Sequence, residues 1–483
     1  MTNKIVKNSI YNVIYKVFSV LFPLVTTSYI SRILLADGVG KIAVTRTIVT
    51  YFITLACLGI PQYGIKSIAQ EGNDISNRSR TFLELFTINF ISTIICIVAY
   101  YIAVNFIPYF ESKRELFNVM GLLLILNIFN VDWFYQGIEE YSYIATRSII
   151  IKALSLVLML LLVKTKEDCV VYAYILCLAT AGNYLLNVFN LRKYVVLKTN
   201  GLQLKRHLKP IFILLASAVA TEIYTMLDTV MIEYFHDDEC VGYYSNAVKI
   251  IRIIYTLVIA VVATFYPQIS KYLKERKYND SNRLLSIGVK IIILIAVPMT
   301  IGVLIMAPDL VELLLGKDFH ESIITLRITA VLVIVFSVAY YLGHIVLMST
   351  GNERKILFAT LIGAASNFLL NIILIPLIRH NGAAVASVIA EILVTTLLIY
   401  NAKKHFQLDL TKQYIINILL SGAMMSAVVI PIELFISHMI VRTIIGVAAG
   451  AVMYFSVLII TKNEMVKYLS DLILSKLRKK PLN

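Results

Sequence analysis

The chain reads as an all-α polytopic membrane protein, with about 14 transmembrane helices in two six-helix bundles plus a C-terminal hairpin. Three observations predict this. First, 59% of the 483 residues are hydrophobic and 15% charged, against roughly half and a quarter in soluble domains. Second, the apolar residues fall in runs of about 20 or more, long enough to cross a hydrocarbon core roughly 30 Å thick. Third, Lys and Arg collect between alternate runs. Each span must satisfy its own backbone in lipid, so the spans are helices; the runs do not alternate as barrel strands do.

The first bundle, 1–191, holds runs at 10–33, 42–60, 82–107, 116–135, 143–163 and 170–190. The first run follows Lys4 and Lys7 like a signal peptide, but it contains Lys16 and Pro23 and lacks a small-x-small cleavage site, so it is read as a retained span. A basic, mostly polar stretch, 192–209, then reads as a cytoplasmic linker. The second bundle, 210–402, holds runs at 211–234, 243–266, 284–306, 323–348, 356–378 and 383–400. Two further spans, 414–436 and 440–460, fill 403–461, and a basic amphipathic tail, 462–483, follows.

The net charge of +15 would point to nucleic acid in a soluble protein. Here its distribution obeys the positive-inside rule and places both termini in the cytoplasm. No nucleic-acid partner is expected. The five cysteines have no metal-type spacing and imply no disulfide framework. There is no P-loop and no nucleophile motif, and the loops are too short for a catalytic domain, so neither an enzyme nor a cofactor is expected. A faint repeat is visible: Gly40, a span and Pro61 recur as Gly242, a span and Pro267.

Charges inside spans cost about 2.5–3.5 kcal/mol each at mid-bilayer, so they face a cavity or a partner. Lys16 lies in the first span, with Arg32, Arg46 and Arg327 nearer span ends. Glu222 and Asp228 lie in the seventh, Lys249 and Arg252 in the eighth, and Glu391 in the twelfth. From the cytoplasmic ends, Glu222 and Arg252 fall roughly 17 and 21 Å deep, and Asp228 and Lys249 both roughly 25 Å. Two ladder-like ion pairs would fit a hairpin of these spans. They would either hold the bundle together or line an aqueous cavity whose cations receive an anionic headgroup. Gly446 and Gly450 form a GxxxG, read as close packing within the protein or as a dimer face. Trp133 is expected in an interfacial belt, less readily as a sugar platform. His344 reads as a packed polar residue or a proton relay.

Several stretches resemble a known family. Residues 127–152 (NIFNVDWFYQGIEEYSYIATRSIIIK) resemble the fourth-span region of bacterial polysaccharide and O-antigen flippases. Residues 29–70 resemble the start of that family, and 221–232 (TEIYTMLDTVMI) and 367–391 (NFLLNIILIPLIRHNGAAVASVIAE) its later segments. The family belongs to the multidrug/oligosaccharidyl-lipid/polysaccharide exporter superfamily. The resemblance implies two six-helix bundles in a V and the transfer of a polyprenyl-diphosphate-linked oligosaccharide to the outer leaflet, for O-antigen, capsule or exopolysaccharide synthesis. It puts Arg32, Asp132, Arg147, Asp228 and Glu391 at family-like positions, with Asp132 and Arg147 as inner-gate candidates; Lys66 stands where relatives often have Arg.

On this reading Lys16, Arg32, Arg46, Lys249 and Arg252 would meet the diphosphate, and Glu222, Asp228 or Glu391 would couple transport to a proton or sodium ion. The setting would be the bacterial cytoplasmic membrane. The partners would be the lipid-linked oligosaccharide, membrane lipids and the polysaccharide polymerase machinery. A drug or metabolite exporter of the same superfamily is the nearest alternative, and a polytopic polymerase the more distant one.

Overall fold

The computed structural model describes residues 2–72, 74–196, 201–403 and 410–478, with side chains over 22–72, 74–196, 201–403 and 410–471. The side chain of Lys16, residues 197–200 of the basic run, Lys404 and residues 479–483 lie outside them. Every described element is helical. Among the described residues, eleven helical segments are long and apolar enough to cross a bilayer, twelve if a pair bent by 42° counts as one. Two of these are broken helices of double length, so the expected number of about fourteen stands as an approximate count. The chain divides into two compact units, Met1–Gly242 and Tyr243–Asn483.

In the first unit α1 (Thr2–Cys57) is about 84 Å of helix at 1.5 Å per residue, far more than one crossing needs. It is broken at Leu35, whose φ of 58° and ψ of −175° are not helical, so two helical arms meet at a kink one residue long. Pro61 then opens α2 (Ile60–Glu71), where a missing N–H costs nothing. Asp74 caps α3 (Ile75–Phe106) by accepting the N–H groups of Ser76 and Asn77 at 2.9 and 3.1 Å. Along α3, Ile91, Ile95, Val98 and Ile102 make one exposed apolar stripe, the side a lipid-facing helix presents.

The span expected at 116–135 lies within one candidate span, Pro108–Gly137, built from α4 (Arg114–Leu126), a 3₁₀ turn and α5 (Asp132–Gly137) and broken by the extended Asn130. This break corrects the reading of Trp133. Short α5 presses into α2 and α3, so Trp133 is 3% exposed, its ring stacked on Phe82 at 5.6 Å. It is core, neither belt nor platform. After α6 (Tyr141–Leu162), the Asp168 carboxylate accepts the N–H groups of Lys164 and Thr165, both at 2.8 Å, which holds its carboxyl below the usual range at the start of α7 (Cys169–Leu191).

The next helix, α8 (Lys205–Phe235), packs on α1 and α2 and is tied by charge at both ends. Near its N-terminus, Glu84 of α3 is wholly buried. Its carboxylate accepts from Arg206 Nη2 (2.6 Å), the Gln203 N–H (2.6 Å) and Arg80 Nε (3.1 Å), and lies 2.8 Å from His207 Nε2. At its C-terminal end, Lys113 donates to Glu233 and, just beyond the helix, to Asp238, each at 2.7 Å, and Tyr109 donates to Glu233 at 2.5 Å. Next to this cluster the repeat becomes visible in three dimensions. A methyl group on Gly40 would come within 1.6 Å of the Asp238 carbonyl oxygen, and one on Gly242 within 2.1 Å of the Ala36 carbonyl oxygen. Asp238 stands 202 positions after Ala36, and Gly242 the same 202 after Gly40.

The second unit takes most of α9 (Asp238–Val262), then α10 (Tyr266–Lys274), opened by Pro267 as α2 is by Pro61. Its centre is α11 (Tyr278–Leu314), with Pro298 and Pro308 inside. A proline leaves the carbonyl four residues back without its helical donor, which lipid cannot replace. Tyr454 donates to the carbonyl of Leu294 at 3.1 Å and Arg327 Nε to that of Leu304 at 3.2 Å, so both orphans are filled. Then come α12 (Ser322–Thr329), α13 (Leu332–Tyr340) with a π-helical extension carrying His344, and α14 (Glu353–Ala402), broken at Ile378 and Arg379. The hairpin of α15 (Lys412–Phe435) and α16 (Met439–Ile460) seats Gly446 against Met306 and Ile432, and Gly450 against Val429 and Met425. The GxxxG therefore packs inside the unit. Finally, Asn463 Oδ1 accepts the N–H groups of Met465 and Val466 at the start of α17 (Glu464–Arg478).

Candidate functional site

A buried polar assembly inside the apolar first unit joins α5, α6 and α7, with Arg147 Nε left without a hydrogen-bond partner among the described residues. Arg147, 4% exposed, donates through Nη2 to Asp132 Oδ1 at 3.1 Å and through Nη1 to the side-chain oxygen of Asn187. Asn187 Nδ2 donates to the same Asp132 oxygen, and its backbone carbonyl accepts from Tyr135 at 2.6 Å. The Tyr143 ring lies 5.7 Å from the guanidinium carbon. The two inner-gate candidates are thus brought together. Asn187 joins them; its amide near the end of the apolar run 170–190 is the one signal the sequence offers.

The acids of α8 differ. Asp228 is 5% exposed, while Glu222, six residues earlier, is half-buried. The Tyr51 hydroxyl is buried and has no hydrogen-bond partner among the described residues. Arg32 and Arg46, on the two arms of α1, are exposed although both lie in an apolar helix.

In the second unit Lys249 and Arg252 are three apart on α9 and both exposed, so they share one face. The expected acid partners, Glu222 and Asp228, belong to the first unit. Glu391 of α14 is 8% exposed, one turn beyond Ser387. Ser387 meets the Tyr244 hydroxyl at 3.0 Å and accepts from Asn367 at 3.4 Å, and Asn371 in turn donates to Asn367 at 3.1 Å. That polar chain runs through the segment quoted above as family-like. His344 is exposed and stacks obliquely on Tyr340 at 4.9 Å. Glu84 with His207, and Lys113 with Glu233, were missed because they sit at span ends, where a charge raises no alarm.

Residues 5–273, more than half the chain, match the family described as Polysaccharide biosynthesis protein. The chain belongs to that family. A second match, to the MatE family, covers residues 214–373. Among relatives of this polysaccharide biosynthesis family member, a protein of Escherichia coli (strain K12) named for O-antigen transport is 23% identical over 82% of this chain and 97% of its own length. One of Shigella dysenteriae with the same name is 20% identical over 75% and 90%. Among solved structures, the lipid II flippase MurJ in an inward closed conformation aligns with 95% of this chain and 99% of its own, at a TM-score of 0.77 and 16% identity. A multidrug resistance MATE transporter of the MOP superfamily, facing inward, covers 80% of this chain and 93% of its own at a TM-score of 0.58 and 14% identity. Likenesses at that identity establish the polytopic helical fold of this superfamily. The assemblies at Asp132–Arg147–Asn187 and around Glu391 are therefore features of a polysaccharide biosynthesis family member built on that fold.

Proposed function

We propose that the protein is a flippase that moves a polyprenyl-diphosphate-linked oligosaccharide from the cytoplasmic to the outer leaflet of a bacterial cytoplasmic membrane. The observation that carries this reading is the exposure of Arg32, Arg46, Lys249 and Arg252, all on membrane-crossing helices. A cation on such a helix that is not packed away faces either lipid or water, and lipid costs about 2.5–3.5 kcal/mol at mid-bilayer. Water-facing cations on such helices suit a diphosphate, which guanidinium and ammonium groups bind with charge-assisted hydrogen bonds. The family match and the relatives named for O-antigen transport support the same substrate class.

In this reading two six-helix bundles, 1–191 and 210–402, are joined by the basic run 192–209 and rock to expose the cavity alternately. Both termini lie in the cytoplasm, as the charge bias requires. Glu222, Asp228 or Glu391 couples the motion to a proton or sodium gradient, and Asp132 with Arg147 acts at the inner gate. The test is complementation of a strain lacking its polysaccharide flippase. Wild type restores surface polysaccharide, and Lys249→Ala/Arg252→Ala, present in the membrane at equal level, does not. Restoration by the double variant would retire these cations to a structural role. Efflux of cationic drugs without any effect on surface polysaccharide would favour the exporter reading that the MatE match keeps open.

A further inference from the structure

Between the first turns of α11 and α17 lies a cavity of about 400 Å³ that the transport reading does not use. Asn279, Asn282, Arg283, Ser286 and Lys290 line it from α11 at spacings of three and four, so they form one stripe. Glu464 and Tyr468 close it from α17. The Lys290 side chain is 8% exposed; its Nζ lies 2.8 Å from the Glu464 carboxylate and 6.0 Å from the Tyr414 ring centroid. Arg283 is exposed and makes no hydrogen bond or ion pair among the described residues. Two cations against one acid leave the cavity net positive, with amide and hydroxyl donors filling the stripe between them.

Its position is as informative as its charge. At 37 residues α11 is about 55 Å long, more than a core roughly 30 Å thick needs, so Asn279, Asn282 and Arg283 precede the apolar run 284–306 and Lys290 lies about two turns inside it. The helix that closes the cavity is amphipathic: Met465 is 3% exposed and Lys467 is exposed. Such a helix lies in the plane of the headgroups.

We propose that this cavity binds the phosphate group of an anionic phospholipid headgroup. The phosphate sits between the Arg283 guanidinium, which can grip two oxygens at once, and the Lys290 ammonium. Asn279, Asn282 and Ser286 supply donors to the remaining oxygens. A bound headgroup bridges α11 and α17, so the lipid orders the C-terminal helix against the second unit. Inorganic phosphate offers the same chemistry without the tails.

The test uses the full chain, delipidated in maltoside, with dioleoylphosphatidylglycerol, dioleoylphosphatidylcholine or inorganic phosphate added, read by native mass spectrometry and by the shift in Tm. Wild type should retain phosphatidylglycerol over phosphatidylcholine. Arg283→Ala should weaken that retention about tenfold with its lipid-free Tm unchanged. Arg283→Lys should keep much of it, and Lys274→Ala, an exposed cation outside the cavity, should keep all of it. Asn282→Asp, which sets a carboxylate in the cavity, should weaken it as Arg283→Ala does. Competition by millimolar phosphate would assign the site to the phosphate group alone, and no competition to the whole lipid. Equal retention of the two lipids, no effect of Arg283→Ala and Asn282→Asp, or an equal loss in Lys274→Ala would overturn the proposal.

Discussion

Gly40 and Gly242 hold matching places in two turns of the chain, and each lies hard against a main-chain carbonyl of the other's turn. The contact is reciprocal, as at a two-fold axis, with Gly40 on Asp238 and Gly242 on Ala36. Atoms of main chain cannot swing aside as side-chain ends can. Gly40→Ala or Gly242→Ala should therefore hold the turns apart and lower surface polysaccharide several-fold in the complementation assay, with protein level in the membrane unchanged. Once one alanine has separated the turns the second has little left to disturb, so the double variant should be hardly worse than either single one. Transport at the wild-type level by Gly242→Ala would show that the close approach is dispensable.

Glu84→Gln should be among the most damaging single-atom changes in the first unit. It removes the charge that Arg206 and Arg80 share and leaves a buried amide in their place. Breaking a buried ion pair from one side costs about 3–5 kcal/mol, and the part-exposed Arg206 brings this toward the lower figure. Thermal unfolding in detergent checks it; a Tm within a degree of wild type would be inconsistent with a structural clasp.

Lys113→Ala leaves Glu233 and Asp238 facing each other without their shared cation. The variant should be destabilised at neutral pH, and the defect should shrink as the pH falls and one carboxylate takes a proton. The sign follows from the charges: in the variant, two like charges repel until one is neutralised. Tm against pH for the two proteins makes the comparison, and parallel curves would count against it.

Tyr454→Phe removes the donor that fills the Leu294 carbonyl and should cost about 1 kcal/mol. In a Pro298→Ala background the helix recovers its own N–H for that carbonyl, so the same substitution should cost less there. A double-mutant cycle in unfolding free energy reads the difference directly. Equal costs in both backgrounds would mean that the tyrosine does not serve the proline.

Arg147→Lys should behave as a loss rather than a conservative change, because an ammonium cannot span Asp132 and Asn187 in the plane that the guanidinium uses. Surface polysaccharide should fall at least tenfold, and Asn187→Ala should mimic it. An Arg147→Lys protein that transports normally would remove this assembly from the gate.

The sequence carried the spans well, because an apolar run of 20 residues has few other uses. Asp132 and Arg147 stood out through the family resemblance alone, and their hydrogen bond became visible only in the fold. The sequence did not carry the break at Asn130, because hydropathy is blind to a kink between two apolar helices, and Trp133 was misplaced with it. Nor did it carry the Glu84 and Lys113 clusters. Their members lie far apart in the chain, and only folding brings Glu84 to His207 or Lys113 to Asp238. The service that Arg327 gives to Pro308 was equally hidden: the proline announces an orphan carbonyl, but not which side chain will answer it.

The breaks at Leu35 and Arg379 leave almost no chain between the arms on either side. A loop can absorb an added residue as slack, whereas these turns can only pass it on. One extra residue beside Leu35 would rotate the following arm by about 100°. The face of Val44, Thr45 and Val49, now packed inside, would then swing toward lipid, and exposed Arg46 with it to a new bearing. Drift in chain length over evolution should therefore be excluded from these two points and collect in the turns that have residues to spare.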